Sequence, residues 1–117
     1  MTTQEIANRL VELCRSGQDS QAQAELYSAD AESFEPAYVP NNHAKGLEAI
    51  HQKGQEFYSQ VEEMHSVQVS EPQVADNHFS VVFTMDITMK GQPRQTMAEI
   101  GLYEVKDGKV VKEQFFY

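Results

Sequence analysis

Residues 96–117 read Thr96-Met97-Ala98-Glu99-Ile100-Gly101-Leu102-Tyr103-Glu104-Val105-Lys106-Asp107-Gly108-Lys109-Val110-Val111-Lys112-Glu113-Gln114-Phe115-Phe116-Tyr117, and this stretch decides the fold. Asp107-Gly108 is a strong hairpin signal, because the tight turns that join strands need positive φ and both residues tolerate it. The flanking runs, Thr96 to Val105 and Val110 to Tyr117, then read as paired strands. Side chains alternate between the faces of a strand. Met97, Glu99, Gly101, Tyr103 and Val105 therefore share one face, and Val111, Glu113, Phe115 and Tyr117 share the matching face of the next strand. A slip of one residue would instead turn Ile100, Leu102, Gln114 and Phe116 that way.

Upstream, Phe79, Val81, Phe83, Met85 and Ile87 alternate with Ser80, Val82, Thr84, Asp86 and Thr88, a further strand. Lys90-Gly91-Gln92-Pro93 turns the chain, which sets Arg94 to pair with Asp86 across that hairpin. Val67 and Val69 alternate before Pro72, so everything after Met64 is expected to be β. The first half is mostly helical. Thr2-x-x-Glu5 has the form of a capping box, and Ile6, Leu10, Leu13 and Cys14 follow on one helix face. Gly17 supplies a left-handed stop. Ser20-x-x-Gln23 opens a second short helix carrying Ala22, Leu26 and Tyr27. Asp30 to Pro36 reads as a short strand, and Tyr38 to Lys45 as a loop. From Gly46, residues Leu47, Ile50, Phe57 and Val61 fall at helical spacing. Gly54 shares that face at a cost of about 1 kcal/mol, which implies either close backbone approach or room for a ligand. Helices followed by strands argue an α+β fold: a curved antiparallel sheet around a long helix, with two further N-terminal helices.

The chain has 117 residues, which is expected to make one domain over 1–117. Leu, Ile, Val and Phe make up about 22 % of it, just above the level at which charged chains stay disordered. The formal net charge of −9 disfavours phosphate backbones and anionic lipid, so neither nucleic acid nor membrane is expected as a partner. There is one cysteine, Cys14, and no Cys/His cluster. His43, His51, His65 and His78 are dispersed with no i,i+4 pair. No metal site and no cofactor are expected. No stretch has the form of a secretory signal or a membrane span, which predicts a cytoplasmic protein.

Several motifs stand in a telling order: Leu26-Tyr27-Ser28-Ala29-Asp30-Ala31, the Glu35-Pro36 step, Gly46-Leu47-Glu48-Ala49-Ile50, and Tyr103-Glu104-Val105-Lys106-Asp107-Gly108-Lys109-Val110. Their order and spacing resemble the SnoaL-like branch of the nuclear transport factor 2-like superfamily, over nearly the whole chain. The resemblance implies a cone-like α+β barrel (also called cystatin-like) with a pocket at its open end, and a homodimer through the convex sheet face. Val82, Thr84, Ile100 and Leu102 are the expected exposed positions on that face. The superfamily holds isomerases, cyclases, epoxide hydrolases, dehydratases and binding modules, so the fold alone does not settle the reaction.

In the isomerase-type site, a carboxylate before a proline removes a proton, while a tyrosine and a second acid stabilise the oxyanion. Glu35 before Pro36 fits the base position. Leu10 falls where the tyrosine should be, and Gly101 where the second acid should be. Each missing donor is worth ~3–4 kcal/mol of barrier, which disfavours steroid isomerisation by that route. The epoxide hydrolase signature, an Asp-Arg-Asp set, is absent too, since the last strand reads Glu113-Gln114-Phe115.

The remaining candidates are Glu35, Glu99, Glu113, Tyr103 and Tyr117 for catalysis, with Phe57, Met97, Phe115 and His65 around the ligand. Carboxyls set against apolar walls have raised pKa values, and a close pair splits into an acid and a base. A tyrosine beside them supplies a hydrogen-bond donor. The expected function is binding of a small apolar molecule in an acidic, tyrosine-lined pocket. Lyase or isomerase chemistry on a carbonyl compound goes with it, and a non-catalytic carrier or a dimerisation module is the alternative. Plainer readings stand beside these: Glu35 as a solvated strand-end group, Glu113 paired at the surface with Lys109 or Lys112, and Tyr103 and Tyr117 as half-buried residues with rim hydroxyls.

Overall fold

Thr2 starts the first helix as the sequence predicts. In the computed structural model, which describes all 117 residues, helix α1 spans Thr3–Arg15. The Glu5 N–H donates to Thr2 Oγ1 at 3.1 Å, and the Thr2 N–H donates to Glu5 Oε1 at 2.8 Å, a complete capping box. Gly17, at φ +70°, closes the helix. The Gln18 N–H reaches the Leu13 carbonyl at 2.9 Å and the Gly17 N–H reaches the Cys14 carbonyl at 3.1 Å, the paired bonds of a Schellman stop.

That stop delivers the chain straight into helix α2 (Asp19–Leu26), whose cap position falls on Gln18, two residues before the expected Ser20, and no side chain caps it. Tyr27, expected on this helix, is instead the first residue of strand β1 (Tyr27–Phe34), because its backbone turns extended to pair with Val110. The strand thus begins and ends before the expected Asp30–Pro36. The expected loop contains strand β2 (His43–Lys45), paired antiparallel with β1. Helix α3 (Leu47–Ser59) follows Gly46, whose φ of +90° suits glycine. It stops before Val61, which opens strand β3 (Val61–Val69). Strands β4 (Gln73–Ala75), β5 (His78–Met89), β6 (Arg94–Lys106) and β7 (Lys109–Phe116) complete the chain.

The curved sheet runs β2-β1-β7-β6-β5-β3, with β4 on the edge of β5. Every pair is antiparallel except β1–β7, which is parallel and joins the two halves of the sequence. Alternation in a single strand carries no information about such a long-range parallel pair. Two bulges also adjust the expected faces. In β7, Val110 pairs with Val105 and Lys112 with Glu104, so Val111 is the extra residue and Val110 takes the inward position. In β3, His65 is the extra residue between the Met64–Ile87 and Ser66–Asp86 pairs.

Alpha1 fills the cone. Ile6, Ala7, Leu10, Val11 and Leu13 pack on Phe79, Val81, Tyr103, Val105 and Val110 of the inner sheet face. Each large apolar side chain buried here contributes about 1.5–3 kcal/mol. Alpha3 buries Ile50 alone, so the rest of its inward stripe is free to face something else. On the convex face, Arg94 grips Asp86 through two bonds of 2.8 and 2.6 Å, as the turn spacing predicts.

Candidate functional site

Between α1, α2, α3 and the inner sheet face lies a cavity of about 700 Å³, within the usual range for small-molecule sites. Its wall on β6 carries Met97, Glu99 and Tyr103, and its wall on β7 carries Glu113 and Phe115. The one-residue slip is not what the chain adopts: Ile100, Leu102 and Phe116 are exposed on the other face. A Cβ on Gly54 would meet nothing within 4 Å, so this glycine leaves space in the cavity wall and no backbone packs on it.

Tyr103 is only 2 % exposed, and its ring stacks on Phe79 at 4.7 Å and meets Phe115 edge-on at 6.4 Å. Burial raises the pKa of its hydroxyl well above the ordinary value, so it stays a protonated donor. No protein acceptor takes that hydrogen, and the group lines the cavity. Gly101 makes this possible. A Cβ there would lie 2.9 Å from Tyr103 Cε2, 3.0 Å from its hydroxyl oxygen and 3.2 Å from Phe115. The position where the isomerase pattern calls for a second acid is therefore occupied by the Tyr103 phenol. Gly101→Ala is expected to push Tyr103 off its stack and cost about 1–3 kcal/mol. Urea denaturation checks this, and an unchanged midpoint would contradict the close packing.

Glu113 is 4 % exposed and lies at the cavity floor. It forms no surface pair with Lys109, which reaches the Glu25 carbonyl instead. The Tyr27 hydroxyl donates to Glu113 Oε1, and the Ser33 hydroxyl donates to Oε2 at 2.6 Å. Burial raises the Glu113 pKa, and these two bonds oppose the rise. Ser33 in turn accepts from Lys53 Nζ, which also lies 3.0 Å from Glu35 Oε1 and 5.5 Å from the Phe115 ring centre. Glu35 is 17 % exposed at its side chain and accepts from the Tyr117 hydroxyl at 2.9 Å. It is neither a free solvated group nor a free base, because Lys53 and Tyr117 hold both its oxygens. Burial raises the Tyr117 pKa, and Glu35 adds to the rise.

Glu99 differs from both. It pairs with Phe83 of β5 and stands between Met97 and Gly101 on its own strand face. Its pKa is pushed up to about 7, first by burial and then by repulsion from Glu35 and Glu113, with no hydrogen bond acting on it. At the helical side of the cavity, the Tyr58 hydroxyl donates to Asp19 at 2.9 Å. Burial pushes the neighbouring Cys14 thiol up to about 12, which keeps it protonated and unreactive at neutral pH.

Of the expected ligand contacts, Phe57, Met97 and Phe115 line the cavity, and His65 does not. As the bulge residue it bonds Thr88 at 2.8 Å and Glu63 at 2.6 Å, and its neighbour Met64 takes the cavity-facing place. Tyr27, Ser33 and Lys53 escape the sequence reading. The signal for Lys53 is present: it lies three residues after Ile50 and four before Phe57, inside the inward stripe of α3.

A model of the SnoaL-like domain family matches residues 1–117. A protein from Mesorhizobium loti, named as a candidate SnoaL-like polyketide cyclase with carbohydrate phosphatase in brackets, shares 36 % identity, with 100 % of each chain covered and a TM-score of 0.94. A protein of unknown function with a cystatin-like fold from Xanthomonas campestris matches at 15 % identity, covering 99 % of this chain and 90 % of its own, with a TM-score of 0.82. A further candidate SnoaL-like polyketide cyclase, from a Jannaschia species, matches at 16 % identity, 98 % and 85 % coverage and a TM-score of 0.78. No curated protein matches. No helix is long and apolar enough to cross a membrane.

Proposed function

Because this chain belongs to the SnoaL-like domain family, a family of small-molecule-binding proteins, we propose that its cavity binds an apolar carbonyl compound and moves a proton next to the carbonyl. Glu99 is the group that takes and returns the proton, and the Tyr103 hydroxyl donates a hydrogen bond to the carbonyl oxygen. The reading is carried by one observation: a carboxyl poised near neutrality stands four residues from a buried phenol with no acceptor, on the same face of β6 and with only Gly101 between them on that face. A general base works best when its pKa lies near the working pH. Removing the α-proton moves charge onto the carbonyl oxygen, where the phenol meets it; the protonated Glu99 then returns the proton to carbon. Glu113 and Glu35 keep the surrounding charge in place.

The printed name of the 36 % identical relative supports carbonyl chemistry through the word cyclase. Phosphatase chemistry finds less support, since Lys53 is the cavity's cation and is already engaged by Glu35 and Ser33. Incubation of the protein with 4-phenyl-2-butanone in D2O tests the proposal by NMR. Exchange of the α-hydrogens for deuterium above the buffer rate is expected; binding without exchange would leave a carrier.

The proposed assembly is a homodimer through the convex face. Val82, Ile100 and Phe116 sit directly opposite one another across β5, β6 and β7, and all three are exposed, with exposed Leu102 beside them. Such a stripe across three strands favours burial against a second copy. Sedimentation at micromolar concentration is expected to give a dimer and Ile100→Asp a monomer; a wild-type monomer would remove this proposal.

A further inference from the structure

Lys53 is the cavity's one basic side chain, against Asp19, Glu35, Glu99 and Glu113. It is fully used: Glu35 and Ser33 take two of its hydrogens, and the Phe115 ring faces the charge. Glu35 is the carboxylate it neutralises directly. Asp19 is held by Tyr58, and Glu113 by Tyr27 and Ser33, all uncharged donors. Glu99 makes no hydrogen bond or ion pair, and Lys53 acts on it only from a distance. Three carboxyl groups thus face one apolar hollow without a cation in contact. A second feature also asks for a ligand: the Tyr103 oxygen, on a residue 98 % buried, points into the same hollow unpartnered.

From this imbalance we infer that the preferred ligand carries a protonated amine beside its apolar body, with the ammonium seated against Glu99 among the aromatic rings. The inference rests on the carbonyl reading of the same cavity and narrows it to amino-bearing carbonyl compounds, whose ammonium pairs with one Glu99 oxygen and leaves the other to take the α-proton. An ammonium there relieves the mutual repulsion of Glu99 with Glu35, Glu113 and Asp19, which Lys53 only partly offsets. Phe57, Phe83 and Phe115 line the same cavity, and a desolvated cation favours aromatic surroundings. A carboxylate ligand, in contrast, would add a fourth uncompensated negative charge in a poorly hydrated space.

Three probes of one shape but different charge decide the matter: N,N-dimethyl-2-phenylethylamine (a cation), 4-phenyl-2-butanone (neutral) and 3-phenylpropionate (an anion). Titration followed by the methionine methyl NMR signals gives each affinity, since Met64, Met85, Met89 and Met97 ring the cavity. At about pH 8 the amine is expected to bind at least ~10-fold more tightly than the ketone, with the propionate weakest. Glu99 must lose its proton to seat the cation. Between about pH 8 and pH 6 the amine affinity is therefore expected to fall about tenfold while the ketone affinity holds. Glu99→Gln, which keeps the side-chain shape, is expected to erase the preference; were that variant unfolded, the wild-type pH series decides alone. Equal or tighter ketone binding would overturn the amine inference and leave the carbonyl reading standing. Tightest binding of the propionate would also overturn it. Binding of none of the three would remove both readings together.

Discussion

Glu99→Gln is expected to lower the proposed α-hydrogen exchange by roughly 10²–10⁴-fold, the usual contribution of a positioned general base. Glutamine keeps the volume of the side chain but cannot take a proton. Ketone binding is expected to survive, because Phe57, Met97 and Phe115 still line the cavity. The same variant is expected to gain stability as activity is lost. Glu99 titrates near 7 in the folded protein against an ordinary carboxyl value of 4.5. Between those values the folded chain holds a proton that the unfolded chain has released. Wild-type stability therefore falls as pH rises through that window and stays lower above it. Glutamine has no proton to lose, so the variant's advantage opens above about pH 4.5 and levels off beyond about pH 7. Denaturation at pH 5 and pH 8, run beside the exchange assay, reads both effects. A variant with full exchange activity would place the base elsewhere.

Glu113→Leu produces the largest expected loss of stability, about 2–5 kcal/mol. Leucine leaves the Tyr27 and Ser33 hydroxyls without an acceptor in the protein interior, and each orphaned donor costs about 1–3 kcal/mol. It also removes the charge that Lys53 reaches through Ser33. Relief of the buried carboxyl works the other way, since burial disfavours its charged form. The hydrogen-bond loss is the larger because two donors converge on one residue. Glu113→Gln distinguishes these effects. Its amide oxygen still accepts from Tyr27, and Ser33 can accept from the new amide while its own hydrogen goes unpaired. The expected cost is about 1 kcal/mol, well below that of leucine. Urea midpoints in the order wild type, glutamine, leucine support the network; a leucine variant as stable as wild type would show that it contributes nothing.

Much of the cavity was legible because its β side is built from local periodicity. Asp107-Gly108 fixes the hairpin, and alternation then sends Glu99, Tyr103, Glu113 and Phe115 to one face. The capping box at Thr2 and Glu5 and the stop at Gly17 are equally local, and both form as the residues imply. The errors lie where the backbone departs from regular period. Val111 and His65 are bulge residues, and an extra residue shifts a strand's alternation without any mark in its composition. Tyr27 and Ser33 reach the site through the parallel β1–β7 pair, whose partners are some eighty residues apart. Lys53 is hidden in the sequence for another reason. A charged residue on an inward helix stripe reads as surface until its partners, Glu35 and Ser33, are known.

The placement of β7 bears on how the chain folds. Beta7 lies third in the sheet, hydrogen-bonded to β1 on one side and β6 on the other. Until it docks, β1 and β6 each present a bare edge, and the β7 wall of the cavity does not exist. Partly folded intermediates are thus open to pairing with neighbouring chains. Docking of this eight-residue strand, Lys109–Phe116, is then the event that seals the sheet against aggregation.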